Sequence, residues 1–294
     1  MHRFRFAALA AVAVFGFASV ASAADPSVKA QPPLSSPSVY SWSGFYAGLN
    51  AGGGWGNTTI DNSMTPGTCS QGPQACPSFF GALNTYVPAQ FDTHPSGFIG
   101  GGQIGYNYQI MPNCVAGLEA DFQGADIKGA ANVSNSAPIV LVAVPETPIF
   151  TLTAAGRQKI DWFGTVRGRL GWLPINSLLV YATGGLAYGH VQTGVSFSGN
   201  IPTTSIIPLN GSSAVSQSKT LAGWTVGGGL EWMFAPRWSV KGEYLYYDLG
   251  TVILNQTTNY VLTLIGPAFF YNANMQSAAH YRGNIARIGL NYKF

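Results

Sequence analysis

From Trp42 onward apolar and polar positions alternate with a period of two, the mark of strands whose successive side chains face opposite sides of a sheet. Eight runs carry the pattern. Gly44 to Gly56 sets Phe45, Ala47, Leu49, Ala51 and Trp55 against Gly48, Asn50, Gly52 and Gly54. Gly97 to Gln109 sets Phe98, Ile104, Tyr106 and Tyr108 against Gln103, Asn107 and Gln109. Val115 to Ala125 sets Leu118 and Phe122 against Glu119, Asp121 and Gln123. Lys159 to Trp172 sets Ile160, Trp162, Val166, Leu170 and Trp172 against Asp161, Thr165, Arg167 and Arg169. Leu178 to Val191, Leu221 to Phe234, Trp238 to Gly250 and Gly283 to Phe294 complete the series.

The connections fall into two classes. Three are short, and each holds a proline: Pro112, Pro174 and Pro236. Four, roughly 57–96, 126–158, 192–220 and 251–282, are long and polar. Short periplasmic turns and long extracellular loops are the habit of bacterial barrels, and an even strand count leaves both termini periplasmic. The pattern predicts an all-β chain, an eight-stranded antiparallel transmembrane up-and-down β-barrel whose apolar parity faces lipid. A soluble β-sandwich shares the alternation but not the two-class connections.

Composition agrees. Charged residues are 9% of the chain, aromatics 13%, and glycine numbers 37, far from the roughly 25% charge of a soluble domain. After the N-terminus no run approaches the about 20 apolar residues of a spanning helix. Arg3, Arg5, the apolar stretch Ala7 to Val20 and Ala21-Ser22-Ala23 read as a signal peptide over 1–23. A flexible Pro/Ser/Ala-rich periplasmic segment is expected over 24–41 and the barrel over 42–294. Without the leader arginines, 12 basic residues face 11 acidic ones, a balance that points away from nucleic acid.

The polar parity carries Glu119, Asp121, Asp161, Glu231 and Glu243, with Arg167, Arg169, Lys241, Arg287 and Lys293. An eight-stranded barrel is barely wide enough for its own side chains. Charges confined there need partners, so a paired lumenal network centred on Glu119, Arg167, Arg169, Glu243 and Arg287 is expected rather than a water-filled channel. Aromatic residues near both ends of the runs form two belts at headgroup height.

Little else carries chemistry. Gly100, Gly102 and Gly105 spell the dinucleotide fingerprint, but a strand continues through Tyr106 to Tyr108 where that motif needs a helix. No nucleophile elbow or HExxH motif appears, so no enzyme, no cofactor and no metal site is expected. His94, His190 and His280 lie near loop ends and are weak candidates for a metal or haem iron, solvated loop histidines being the commoner outcome. Cys69 and Cys76 are expected to close a small disulfide loop, which leaves Cys114 unmatched.

The wording of the strands points further. Ser41-Trp42-Ser43-Gly44-Phe45-Tyr46-Ala47-Gly48, Gly117-Leu118-Glu119-Ala120-Asp121-Phe122, Trp162-Phe163-Gly164-Thr165-Val166-Arg167-Gly168-Arg169 and Lys241-Gly242-Glu243-Tyr244 stand in series with the closing Asn284 to Phe294. The series resembles the small outer-membrane surface antigens of alphaproteobacteria, the RopB-type outer membrane immunogenic proteins with an OmpA-like barrel. That resemblance implies an outer-membrane location, a part in envelope integrity, and exposure to hosts. It also implies that Leu290, Tyr292 and Phe294 form the C-terminal signal read by the barrel-assembly machinery. No peptidoglycan-binding domain is expected after Phe294. Cys114 stands where relatives often carry an aromatic residue, and the loops are long for the family. The expected partners are outer-membrane lipid and lipopolysaccharide, the assembly machinery, and host or surface partners through the loops. The leading expectation is a structural surface barrel; a narrow porin-like solute channel and a haem-binding surface protein are the alternatives.

Overall fold

The computed structural model describes residues 40–70, 86–138, 147–201, 209–262 and 269–294. The leader, its cleavage site, segment 24–39 and Cys76 lie outside the described residues. The elements are β1 (Gly44–Trp55), β2 (Thr58–Cys69), β3 (Gln90–Thr93), β4 (Ser96–Met111) and β5 (Cys114–Pro138), followed by β6 (Ile149–Ile175), β7 (Leu178–Ile201), β8 (Leu209–Ala235), β9 (Trp238–Leu262) and β10 (Phe269–Lys293).

Eight strands close a ring in the order β1-β4-β5-β6-β7-β8-β9-β10, every pairing antiparallel, with β1 hydrogen-bonded to β10 from Tyr46↔Lys293 to Trp55↔Asn284. Above the interruptions at residues 56–57 and 94–95, β2 and β3 take over from β1 and β4. Gly56 N donates to Pro95 O, β2 pairs with the upper part of β10, and β3 pairs with β2.

The eight membrane-length runs all lie in strands, but the strands do not stop where those runs stop. Segments expected as loops, 126–138, 149–158, 192–201, 209–220, 251–262 and 269–282, continue the ladders. In the lower part of the ring, near the short turns, the apolar parity faces outward: Leu49, Leu118, Leu170, Leu230 and Ile288 are exposed. Aromatic pairs bound this band on both sides. Trp238–Tyr292 and Tyr292–Phe294 lie toward the short turns, and Phe122–Trp162 and Trp224–Tyr246 on the other side. Trp162 to Trp172 on β6, at about 3.3 Å per residue and a tilt of about 40°, spans about 25 Å, the height of a membrane barrel's apolar band.

Above the band the faces exchange roles. Phe150, Leu152, Val191, Val195, Phe197, Val252, Leu254 and Tyr260 are buried inside, while serine, threonine and asparagine turn outward. The exchange is local on two strands. On β6 the ladder slips between Ile160 and Trp162, so that Phe163, Thr165 and Arg167 point inward below the bulge and Ile160 and Gln158 above it. On β9 the slip falls between the pairs Tyr281↔Gly250 and Arg282↔Asp248. There Gly250 takes a φ of 85°, a conformation that favours glycine, and its N–H donates to Asp248 Oδ1 at 2.8 Å.

Two further features frame the interior. At the short-turn end Trp42, just before β1, folds under the ring against Val115, Leu173, Leu179, Tyr181 and Met233, with Tyr40 beside it, and its indole N–H donates to Asn176 O at 2.9 Å. Between Ser212 and Trp224 the pairing of β8 with β9 lapses. Along this stretch β8 keeps its ladder to β7, and both its faces are exposed from Ser216 to Thr220.

Candidate functional site

The polar parity of the lower ring converges on one buried layer. β5 supplies Glu119 and Asp121, β6 Arg167 and Arg169, β8 Glu231, β9 Lys241 and Glu243, and β10 Arg287. These four acids and four bases are each no more than 4% exposed. Arg167 sits at the centre. Its Nη2 reaches Glu119 Oε1 at 2.5 Å and Asp121 Oδ2 at 3.1 Å, its Nη1 reaches Glu243 Oε1 at 2.9 Å, and its Nε donates to Thr165 Oγ1. Arg287 closes the same cluster from β10, with Nη2 at 2.7 Å from Asp121 Oδ2 and Nε at 2.8 Å from Glu243 Oε2. Lys241 Nζ lies 2.8 Å from both oxygens of Glu119.

A second lobe faces the short turns. Arg169 Nη2 pairs with Glu231 Oε2 at 2.5 Å, and its guanidinium lies 4.0 Å from the centre of the Tyr181 ring. Its Nη1 donates to the Tyr46 hydroxyl at 2.6 Å, which itself donates to Glu119 Oε2 at 2.7 Å. Ser239 and Asn291 donate to Glu231 Oε1, and Asn291 accepts from Gln103. Charge-assisted bonds in this dense arrangement are the strong kind. Asp121 Oδ1, Arg169 Nε and Arg287 Nη1 have no protein partner among the described residues, places that bound water serves in buried polar networks.

The layer is stoppered on both sides. Trp42 and its apolar cluster lie toward the short turns; Ile99, Phe163, Leu245 and Tyr247 lie above. The arrangement offers ion pairs and hydrogen bonds between strands. Its carboxylates are engaged by cations, and the Ser239 hydroxyl is spent on Glu231.

Of the ten charged residues on the polar parity eight meet here; Lys293, whose ammonium donates to Ser41 O at the strand end, and Asp161 do not. The β6 bulge turns Asp161 outward above the aromatic belt, where it pairs with Lys159 and accepts from Gln192 Nε2 at 2.6 Å. The hydrogen bond to Asp161 holds the Lys159 ammonium above the usual lysine range. Tyr46 and Tyr181 belong to the network although the sequence reading left them out of it; Tyr46 shares the parity of Asn50, which was the available signal.

The three histidines are not brought together. His190 on β7 stacks on Trp162, with ring centres 6.1 Å apart. His280 on β10 pairs with Asp248 at 3.1 Å, and His94 lies between β3 and β4. Among the described residues no group of three or more His, Cys, Asp or Glu side chains is placed to hold a metal. Cys114 opens β5 as a half-buried free thiol, and Cys69 ends β2, with Cys76 outside the described residues. Leu290 and Phe294 are exposed on the outer face of the last strand, and the Tyr292 ring packs between Trp238 and Phe294.

A family model described as an outer membrane protein beta-barrel domain matches residues 8–294. The 31 kDa outer-membrane immunogenic protein of Brucella melitensis is 34% identical over 288 residues, covering 97% of this chain and 98% of that protein. A 22 kDa outer membrane protein of Rhizobium leguminosarum is 31% identical over 58% of this chain and 62% of its own length. Among solved structures the chain is similar to OprG of Pseudomonas aeruginosa, with a TM-score of 0.32 and 12% identity over 86% of this chain and 96% of that one.

Proposed function

The chain belongs to the outer membrane protein beta-barrel domain family, and from that footing we propose that it is a closed structural barrel, contributing to envelope integrity without conducting solutes and turning its long hairpins outward as an interaction and antigenic face. Its place is the outer membrane, as for its relatives. In this reading the short turns are periplasmic, the partners are outer-membrane lipid and lipopolysaccharide, and the assembly machinery reads Leu290, Tyr292 and Phe294 during biogenesis. The barrel has no catalytic role.

One observation carries the reading: a charge-balanced layer, tied across five strands, lies between two apolar stoppers. A conducting pore needs a continuous wet path, and here neutralised ion pairs and aromatic side chains occupy the lumen. The test is single-channel recording of the purified protein in planar bilayers. A silent bilayer is expected. Steady unitary openings would overturn the reading in favour of the narrow channel.

A further inference from the structure

Between the pairs Ser212↔Asn259 and Trp224↔Asp248 the ladder joining β8 to β9 lapses, so residues 213–223 of β8 face residues 249–258 of β9 without ladder pairs. Each strand stays zipped on its other side, β8 to β7 and β9 to β10. The result is a slot in the upper wall, closed at both ends and lined by two strand edges. At about 3.3 Å per residue and a tilt of about 40°, the slot is about 25 Å high.

The side chains explain why it stays open. At this height the inner faces of the neighbouring strands are apolar: Val191 and Val195 on β7 and Val252 and Leu254 on β9 are all buried. On β8 the same parity carries Gln217 opposite Thr193 and Lys219 opposite Val191, and both side chains are exposed. Lys219 has no ion pair or side-chain hydrogen bond among the described residues. Zipping β8 to β9 would carry its ammonium into the apolar interior without a partner, one of the costliest burials a fold can make. Natural sheets blunt such edges with prolines, charges or bulges. Here 209–230 of β8 and 249–262 of β9 hold no proline, Lys219 is their single charged residue, and the Gly250 bulge lies at the lower end of the slot.

We propose that the slot docks an extended segment of a partner polypeptide, which adds to the β8 edge by main-chain hydrogen bonds and sets an acidic side chain opposite Lys219. The occupant follows from the walls. A row of unpaired backbone donors and acceptors is matched by another extended backbone, the physics of strand addition. Lys219 lacks a cross-strand neighbour of opposite sign, and a like charge there would be unfavourable. The inference deepens the interaction face proposed above and rests on the orientation with the long hairpins outward.

The test uses the whole purified barrel in detergent. Its probe is a fluorescent peptide as long as the slot, alternating threonine and valine with one central glutamate. A second peptide carries lysine in place of the glutamate, and a third is the first with its backbone nitrogens methylated. The glutamate peptide should bind, the lysine peptide about tenfold more weakly, and the methylated peptide not at all. In a Lys219→Glu barrel the order of the first two should invert, with unchanged heat-dependent gel mobility verifying its fold. Failure of the glutamate peptide to bind overturns the proposal. So does binding that survives methylation, or a preference that the substitution leaves unchanged. A barrel that is dimeric alone and monomeric with the peptide would make a second copy the occupant, and also overturns it. Orientation is read separately, on intact cells, from peptide binding and from antibody binding to an epitope inserted within 202–208. A silent epitope and no peptide on cells, with binding to the purified barrel intact, would retire the orientation and keep the docking edge; a bright epitope with no peptide bound to the purified barrel would do the reverse.

Discussion

The lower and upper halves of this ring use the same strands and obey opposite rules. Below the upper aromatic belt, Leu49, Leu118 and Ile288 face out while Arg167, Lys241 and Glu243 are buried. Above it, Phe150, Phe197 and Leu254 are buried and serines, threonines and asparagines face out. Both halves are built on hydrogen-bonded strands, with the β8–β9 ladder interrupted in the upper one, and what differs is the medium the outer face meets. In lipid the outer face must be apolar and the polar side chains can satisfy one another only inside; in water the usual burial of apolar surface returns. The lower half is a membrane barrel and the upper half is built as a soluble one, joined without a linker.

The largest expected effect tests the lower half from within. Replacing Arg167 with methionine leaves Glu119, Asp121 and Glu243 short of their shared cation and should cost about 3–5 kcal/mol. The heat-induced mobility shift would then occur at a clearly lower temperature than in the parent. A transition at the parent temperature would mean that the charged layer does not stabilise the barrel. The next pair sets the two outer faces against each other. Leu118→Arg, in the apolar band, should cost about 2–4 kcal/mol, whereas Ser198→Arg on the upper outer face should stay within about 0.5 kcal/mol. Urea unfolding in lipid vesicles measures both, and equal costs would erase the distinction. The smallest effect lies at the junction. Gly250→Ala meets no neighbouring atom within 4 Å, so only its φ of 85° resists the methyl group, at about 1–2 kcal/mol. The same unfolding measurement reads it, and no loss would mean that the bulge readily rearranges.

The eight runs of the lower half were legible because lipid enforces a strict alternation over a known length, and Glu119, Arg167, Arg169, Glu243 and Arg287 followed from their parity. Asp161 was misplaced because a one-residue bulge reverses parity and leaves no sign in composition. The upper strands were read as loops for a related reason. Their apolar residues, such as Phe150, Leu152 and Ala154, keep the period of two, but the intervening Thr151 and Thr153 and the flanking Ser, Asn and Pro residues give the segment the composition of a loop. Trp42 lies ahead of the first run, where parity assigns no face, and the polar-side parity that Tyr46 shares with Asn50 went unused.

The ties within the charged layer run mostly between strands far apart in the chain: Arg287 reaches Asp121, 166 residues away, and Tyr46 reaches Glu119, 73 residues away. While the last strand is missing, Asp121 and Glu243 lack one of their cations, and the layer reaches charge balance only as the ring closes. Contacts that form last stabilise the native state more than the transition state, so they slow unfolding more than they speed folding. What the buried charges confer, on this view, is lifetime: a barrel that opens rarely and so keeps its shape for as long as the cell keeps its membrane.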